Sequence, residues 1–354
     1  MQYVTKKVLN GERITGEQAL SLFAKADLYE LGFLADSVRK RLHPERLVTY
    51  VIDRNINYTD ICISACKFCA FYRSPAEGGG SVLSFEELGR KIEETRELGG
   101  TQILLQGGLH PDKPLAFYEE MLLYIKKNHP IHVHGFSPPE IFHFSKISGL
   151  AVKEVLQRLC AAGLDSIPGG GAEILSDRVR SEAAPRKCTA DQWIGVMEEA
   201  HNLGLRTTAT MMFGHIETMA ERIEHLERVR SLQDRTGGFT AFIPWPFQPA
   251  NTAYAHIEKA TAFSYLKMLA LSRIYLDNVA NIQASWVTQG PKIAQISLSF
   301  GANDFGSTMI EENVVAAAGV SFRLSEKEIR HLIEDAGFQP RQRTMDYSLV
   351  ESAT

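Results

Sequence analysis

The sequence predicts an α/β chain folded as a closed (β/α)8 barrel of the TIM type, preceded by a helical extension. Three observations carry this. Short β-rich apolar runs alternate with longer segments of helical period along most of the 354 residues, and such alternation calls for parallel strands joined by right-handed crossovers. Eight such units in roughly 300 residues suit a closed barrel better than an open sheet. The Gly-x-Gly-x-x-Gly turn of an open dinucleotide-binding sheet is missing after the first strand, and no Pro/Ser-rich linker or charge block interrupts the pattern. The expected division is an extension over 1–46, a barrel over 47–345 and a tail over 346–354.

The elements follow in order. Thr15 with Gln18 forms a capping box that opens a helix toward Arg41. Strands are expected at 47–53, 101–106, 131–136, 164–168, 205–213, 239–244 and 283–288, with an eighth near 302–305. The Ser/Thr-x-x-Glu/Gln device recurs at Ser84/Glu87, Thr189/Gln192, Thr218/Glu221 and Ser325/Glu328, each before a periodic apolar stretch. After the first of these, Phe85, Leu88, Ile92 and Leu98 make one apolar face at helical spacing.

Composition excludes several classes. The 38 basic and 42 acidic side chains leave a formal charge of −4, which gives no electrostatic footprint for nucleic acid or an anionic membrane. No run approaches the roughly 18 apolar residues that cross a bilayer, and 1–11 has no apolar signal region. A cytoplasmic protein is expected. The five cysteines are an odd number, and Cys62, Cys66 and Cys69 fall within eight residues. Clustered thiols in a reducing compartment point to metal ligation rather than to disulfides.

In a barrel, chemistry sits at the C-terminal ends of the strands, and the cysteine cluster follows the first one. Its spacing, Cys-x3-Cys-x2-Cys, supplies three soft ligands from one loop. Such ligands select iron–sulfur or zinc over hard cations. Cys160, on the apolar face of a helix, reads as core, and Cys188 precedes a helix cap. Neither supplies a fourth nearby ligand, so one iron of a [4Fe–4S] cluster would stay open to a small molecule. His132 and His134 lie two apart on the third strand and face one side. A His-x-His metallohydrolase barrel is therefore the alternative from another class.

Cys62, Cys66, Phe68 and Cys69 resemble the radical S-adenosylmethionine signature, in which an aromatic residue precedes the third cysteine. The resemblance implies a barrel of that superfamily's type, with Cys62, Cys66 and Cys69 on three irons of a [4Fe–4S] cluster. S-adenosyl-L-methionine would bind the fourth iron, among Phe68, Phe71, Gly107, Gly108 and Ser137. Leu109 stands where members often carry Glu after the paired glycines, so the expected contact there is through backbone carbonyls. Gly169-Gly170-Gly171-Ala172-Glu173 ends the fourth strand, where Glu173 is placed for ribose hydroxyls and Arg178 for a carboxylate.

The likeness extends over about residues 45 to 345. It includes Met211-Met212-Phe213-Gly214-His215, Pro244-Trp245-Pro246-Phe247-Gln248-Pro249, Trp286-Val287-Thr288-Gln289-Gly290-Pro291 and Gly301-Ala302-Asn303-Asp304-Phe305-Gly306-Ser307. These segments resemble the dehypoxanthine futalosine cyclase family of the futalosine route to menaquinone. Aminofutalosine synthases and the deazaflavin-chromophore synthase components are its siblings. The resemblance implies hydrogen abstraction from ribose C4′ followed by carbon–carbon bond formation onto a benzoate ring. It also implies a small-molecule substrate, dehypoxanthine futalosine, and an external one-electron donor such as flavodoxin or ferredoxin. Rearomatisation needs a proton acceptor, for which Asp304, Glu140, His134 and Tyr72 are eligible by chemistry.

Overall fold

Residues 47–57 run as one bent strand, and that strand decides how the barrel closes. In the computed structural model, which describes residues 2–351, it divides at Ile52 into β1 (Leu47–Val51) and β2 (Asp53–Asn57). The sequence suggested an end at Asp53. It continues because Asp53, Asn55 and Asn57, two apart, share one face and turn it to the barrel interior. That polar run does not read as a strand.

The later strands are β3 (Gln102–Gln106), β4 (His132–Gly135), β5 (Ser166–Ile167), β6 (Arg206–Phe213), β7 (Phe239–Pro246), β8 (Asn281–Ile282), β9 (Asp304–Ser307) and β10 (Gln339–Gln342). β2 to β8 form a parallel seven-stranded sheet in chain order, while β1 lies between β10 and β9 in a parallel three-stranded sheet. Backbone bonds join the two sheets into a ring. Asn303 N–H donates to Ile282 O at 3.1 Å and Ala284 N–H to Asp304 O at 2.9 Å, linking β8 to β9. Thr308 N–H to Val51 O at 2.9 Å and Ile310 N–H to Asp53 O at 3.1 Å link β9 back to the bent strand. The (β/α)8 barrel is thus closed, with β10 as an added edge strand.

Two expectations are corrected. The helix opened by Thr15 is two helices, Gly16–Lys25 and Leu28–Leu42, because Ala26 is extended and the Asp27 side chain caps Glu30 N–H at 2.8 Å. The strand expected at 283–288 lies earlier, as β8, with only an isolated bridge from Gln283 to Asp304 inside the expected range. Residues Trp286–Gln289 form a short helix instead, held by Ser285 Oγ against Thr288 Oγ1 at 2.7 Å and ended by Gly290 at φ 79°. β10 has no apolar alternation and contains Pro340, which an edge strand tolerates. The five capping boxes are present, although Leu98, beyond the last turn of Phe85–Glu97, is exposed.

Helix Ala262–Tyr275 secures the seam of the ring. Its Arg273 is fully buried and donates to the carbonyls of Gly301 (2.8 Å), Val279 (3.3 Å) and Ala280 (2.9 Å), and to Asn303 Oδ1. Asn303 Oδ1 also takes Ile282 N–H at 3.0 Å. With no acidic partner in this group, burial lowers the Arg273 pKa to about 9. Among the described residues no helix is long and apolar enough to cross a membrane.

Burial also marks His225 on helix Met219–Thr236, whose Nδ1 accepts from Leu175 N–H at 3.0 Å. Its pKa falls from 6.5 to about 3, first through desolvation and then through Arg180 and Arg228. The unfolded chain takes up a proton near pH 6.5 that the folded chain refuses until about pH 3, so stability is intact above that window and falls on acidification through it. Urea titrations should show the unfolding free energy decreasing from pH 7 to 4.5. His225→Gln, which keeps an acceptor without a titrating ring, should reduce that slope.

Candidate active site

The strands β2 to β4 end in three loops that one carboxylate holds together. Glu140 is fully buried and accepts Tyr58 OH (2.6 Å) and Gly107 N–H (3.0 Å) on Oε1, and Ser137 N–H (2.7 Å) and Ser137 Oγ–H (2.5 Å) on Oε2. Burial raises its pKa, against the lowering effect of these donors. Ser137, expected beside the cofactor, and Glu140, an eligible proton acceptor, together form the capping box of helix Pro138–Ser148. Every Glu140 oxygen is engaged, which removes it as a free proton acceptor.

Gly107 and Gly108 are required by packing. A Cβ on Gly107 would lie 2.5 Å from the Tyr58 ring, and one on Gly108 would lie 2.2 Å from Ile61 O and 2.9 Å from Cys62 Cβ. The β3 loop therefore lies directly against the cysteine loop. Gly108 N–H donates to Thr59 O at 2.9 Å, Ile63 N–H to Leu109 O at 3.0 Å, and Leu109 N–H to Cys62 Sγ at 3.3 Å.

Cys62, Cys66 and Cys69 are unbonded to one another and share the lining of one cavity of about 430 Å³. Ser64 N–H reaches Cys62 Sγ at 3.4 Å and Ser64 Oγ lies 3.2 Å from Cys66 Sγ. Burial raises the Cys62 thiol and pushes Cys66 up to about 11, so ligation must displace protons. Three thiols with N–H···S and O–H···S support fit an iron–sulfur group held at three corners with the fourth left open. Cys160 lies on helix Val152–Ala162, and Cys188 packs against Arg180 through its carbonyl and thiol. Among the described residues no three His, Cys, Asp or Glu side chains converge as on a single metal ion.

The cavity also brings together Phe68, Phe71, Tyr72, Gly107, Gly108, His134, Ser137, Glu140 and Glu173. Two expected residues stay outside that lining. Arg178 is exposed; its Nε and Nη2 bind the two oxygens of Glu221 (2.6 and 2.7 Å), and Nη2 also donates to Ile216 O at 2.9 Å. Asp304 is fully buried, accepts Thr49 Oγ1–H at 2.6 Å and Gly306 N–H at 2.7 Å, and is gripped by Arg343. Both changes have one cause: each side chain found a nearer opposite charge. His132 Nε2 and His134 Nδ1 both bond Ser166 Oγ at 2.7 Å, and burial drives His134 well below its usual pKa. Shared on one hydroxyl, the two rings do not form a metal pair.

The most informative residue the sequence reading missed is Lys187. Its ammonium lies 2.6 Å from Glu173 Oε1 and 5.1 Å from the Phe68 ring centroid. Burial opposes its charge, but Cys66 and Glu173 together raise its pKa. The segment around it also clamps the cysteine loop, through Lys67 N–H to Ala183 O at 2.9 Å and Arg186 Nη1 to Ile63 O at 3.2 Å. Arg343, Met345 and Tyr347 line the opposite end. Nothing in their local sequence marks them, because the hairpin that carries them gains meaning only where it packs.

A closed parallel barrel with a three-thiol loop at the C-terminal mouth defines the class: this chain belongs to the radical SAM superfamily. Residues 56–229 match that superfamily and residues 236–354 match the CofH/MqnC C-terminal region. The chain is 46% identical over 350 residues to the cyclic dehypoxanthine futalosine synthase of Halalkalibacterium halodurans, covering 99% of this chain and 95% of that protein. It is 48% identical to the protein of the same name from Streptomyces coelicolor, covering 98% and 88%. A 5-amino-6-(D-ribitylamino)uracil–L-tyrosine 4-hydroxyphenyl transferase from Archaeoglobus fulgidus is 43% identical, covering 91% and 94%. In fold, the chain is similar to the FeFe-hydrogenase maturase HydG from Carboxydothermus hydrogenoformans (TM-score 0.77, 20% identity, covering 98% of this chain and 80% of that one).

The Glu140 junction is testable by itself. Glu140→Gln sets an amide NH2 against two of the four donors. It should lower the unfolding free energy by about 1–3 kcal/mol in urea titration. Unchanged stability would show that the junction has no net weight.

Proposed function

We propose that the chain cyclises dehypoxanthine futalosine to cyclic dehypoxanthine futalosine in menaquinone biosynthesis. The observation that carries this reading is 46% and 48% identity, over nearly the whole chain, to two proteins named for that reaction. The thiol loop at the mouth of a closed cavity supplies the chemistry it needs. Cys62, Cys66 and Cys69 would hold a [4Fe–4S] cluster, and S-adenosyl-L-methionine would lie beside it. When bound and reduced, the pair would supply the 5′-deoxyadenosyl radical chemistry that abstraction of the ribose C4′ hydrogen atom requires.

The chain's own residues then position and shield. Phe68, Phe71, Gly107, Gly108 and Ser137 border the cofactor, with Ser137 fixed by Glu140. Glu173 gives Oε1 to Lys187 and keeps Oε2 for ribose hydroxyls. Thr208, Thr210, Met212, Ile243, Trp245 and Trp286 face the interior across from the amide ladder of β2, so the cavity has a polar wall and an apolar, aromatic wall. A sugar bearing a benzoate ring matches that division, and holding C4′ against the ring in a near-attack geometry is worth about 7–11 kcal/mol. Of the proton acceptors considered, Asp304 lies off the cavity lining and Glu140 has both oxygens engaged, which leaves His134 and Tyr72. With Nδ1–H donating to Ser166, His134 keeps Nε2 as a neutral base. The reaction needs an external one-electron donor such as flavodoxin or ferredoxin. Clustered thiols suit a reducing compartment, which supports a cytoplasmic protein, and a formal charge of −4 offers no footprint for nucleic acid or an anionic membrane.

Replacing Cys62, Cys66 or Cys69 by Ala should abolish both the iron–sulfur absorbance of reconstituted protein and 5′-deoxyadenosine release, whereas Cys160→Ala should preserve both. A Cys66→Ala protein with an intact cluster contradicts the ligand assignment.

Substrate deuterated at C4′ should deliver its label into 5′-deoxyadenosine. The product should have two hydrogens fewer than the substrate, one removed as an atom and one as the proton that leaves, with an electron, on rearomatisation. Mass analysis reads both. An adenosyl group retained in the product would assign the chain to aminofutalosine-type chemistry instead.

A further inference from the structure

Among the described residues, two cations line the cavity, and they stand at its opposite ends. Lys187 is at the mouth, between Glu173 and the Phe68 ring beside the cysteine loop. Arg343 is at the floor, where its backbone N–H donates to Tyr50 O at 2.9 Å. Tyr50 and Asn57 are seven residues apart on the bent strand, so Arg343 sits roughly 20 Å of chain below the loop that carries the thiols.

Arg343 is positioned by a hairpin. Thr344 N–H donates to Ser348 O and Val350 N–H to Gln342 O, both at 2.9 Å, which folds 343–350 back under the barrel. The Nε and Nη2 edge of the guanidinium grips Asp304, and Nη1 donates to Thr344 O at 3.1 Å. The Tyr347 ring covers one guanidinium face, its centroid 4.0 Å from Cζ. An arginine has five N–H donors. These contacts use three, leaving one N–H on each terminal nitrogen of a buried side chain that borders the cavity.

We infer that Arg343 is the specificity residue for the benzoate carboxylate of the substrate. Two N–H groups on adjacent nitrogens suit a planar carboxylate in a way that an ammonium does not. Asp304 fixes the guanidinium beforehand, and Tyr347 keeps its plane edge-on to the ligand. The other acidic and polar groups facing this end, Asp53, Gln102 and Ser307, are bonded to one another and offer no competing cation. Besides Asp304, the carboxyl facing this end is Asp53, which Gln102 and Ser307 bond and which burial shifts toward its neutral form, so Arg343 is the cation there that a ligand carboxylate can meet, away from the thiol loop. The assignment rests on the proposed cyclase reading.

The test compares dehypoxanthine futalosine with its analogue bearing a carboxamide in place of the benzoate carboxylate. Dissociation constants are measured anaerobically by calorimetry on the cluster-loaded protein. The wild type should bind the carboxylate at least ten-fold more tightly. In the Arg343→Gln/Asp304→Asn double variant, which removes both charges of the pair together, the preference should collapse to less than two-fold. Arg343→Lys, which keeps a cation for Asp304 but loses the fork, should fall between. Equal binding of both ligands by the wild type overturns the role of Arg343 alone. So does a ten-fold preference that survives in either variant. Failure of the wild type to bind dehypoxanthine futalosine at all overturns the cyclase reading, and this assignment with it.

Discussion

The carboxylate of Glu140 gathers four hydrogen bonds from the ends of three consecutive strands, and the geometry of the mouth depends on it. Tyr58 follows β2, Gly107 follows β3 and Ser137 follows β4. Gly107 in turn fixes Gly108 and Leu109, and Leu109 N–H reaches Cys62 Sγ. A buried carboxylate without these donors would be costly. Bonded this way, it joins the barrel scaffold to the first thiol through a short chain of backbone contacts. The glycines serve this contact first, because side chains at Gly107 and Gly108 would force the two loops apart.

A second organising feature is the pairing of buried charges across the barrel. Lys187 with Glu173 and Arg343 with Asp304 each place a cation at one end of the cavity and neutralise it from one side. Pairs of this kind contribute little to stability once desolvation is counted. Their value is orientation. Each cation is held rigid and keeps unused donors, so a ligand meets a preset array rather than a mobile side chain. Between the two ends, the amides of β2 and the aromatic side chains of β7 and the Trp286 turn divide the cavity lengthwise.

Much of this was legible in the sequence, for reasons that also explain the rest. Apolar periodicity and capping boxes are local signals, and they located most helices and strands. The thiol spacing located the mouth. What escaped was nonlocal. Asp53, Asn55 and Asn57 are polar because they face a ligand cavity, which inverts the pattern that identifies a strand. Arg178 and Asp304 sit in segments that suggested contact with ligand, but in three dimensions Glu221 and Arg343 lie closer. Lys187 and Arg343 have no motif, and their importance comes from Cys66, Glu173, Asp304 and Tyr347, residues distant in sequence.

The bent first strand has a consequence for how the molecule assembles. β2 pairs with β3, about fifty residues later, whereas β1 pairs with β9 and β10, more than 250 residues later (Thr49 with Asp304, for example). Closing so long a loop costs entropy before any contact repays it, so the β1 seam forms late relative to the sheet from β2 to β7. The mouth, with its thiol loop, can therefore be organised while the floor is still open. The hairpin that carries Arg343 completes the vessel from below, after the thiol loop has its surroundings.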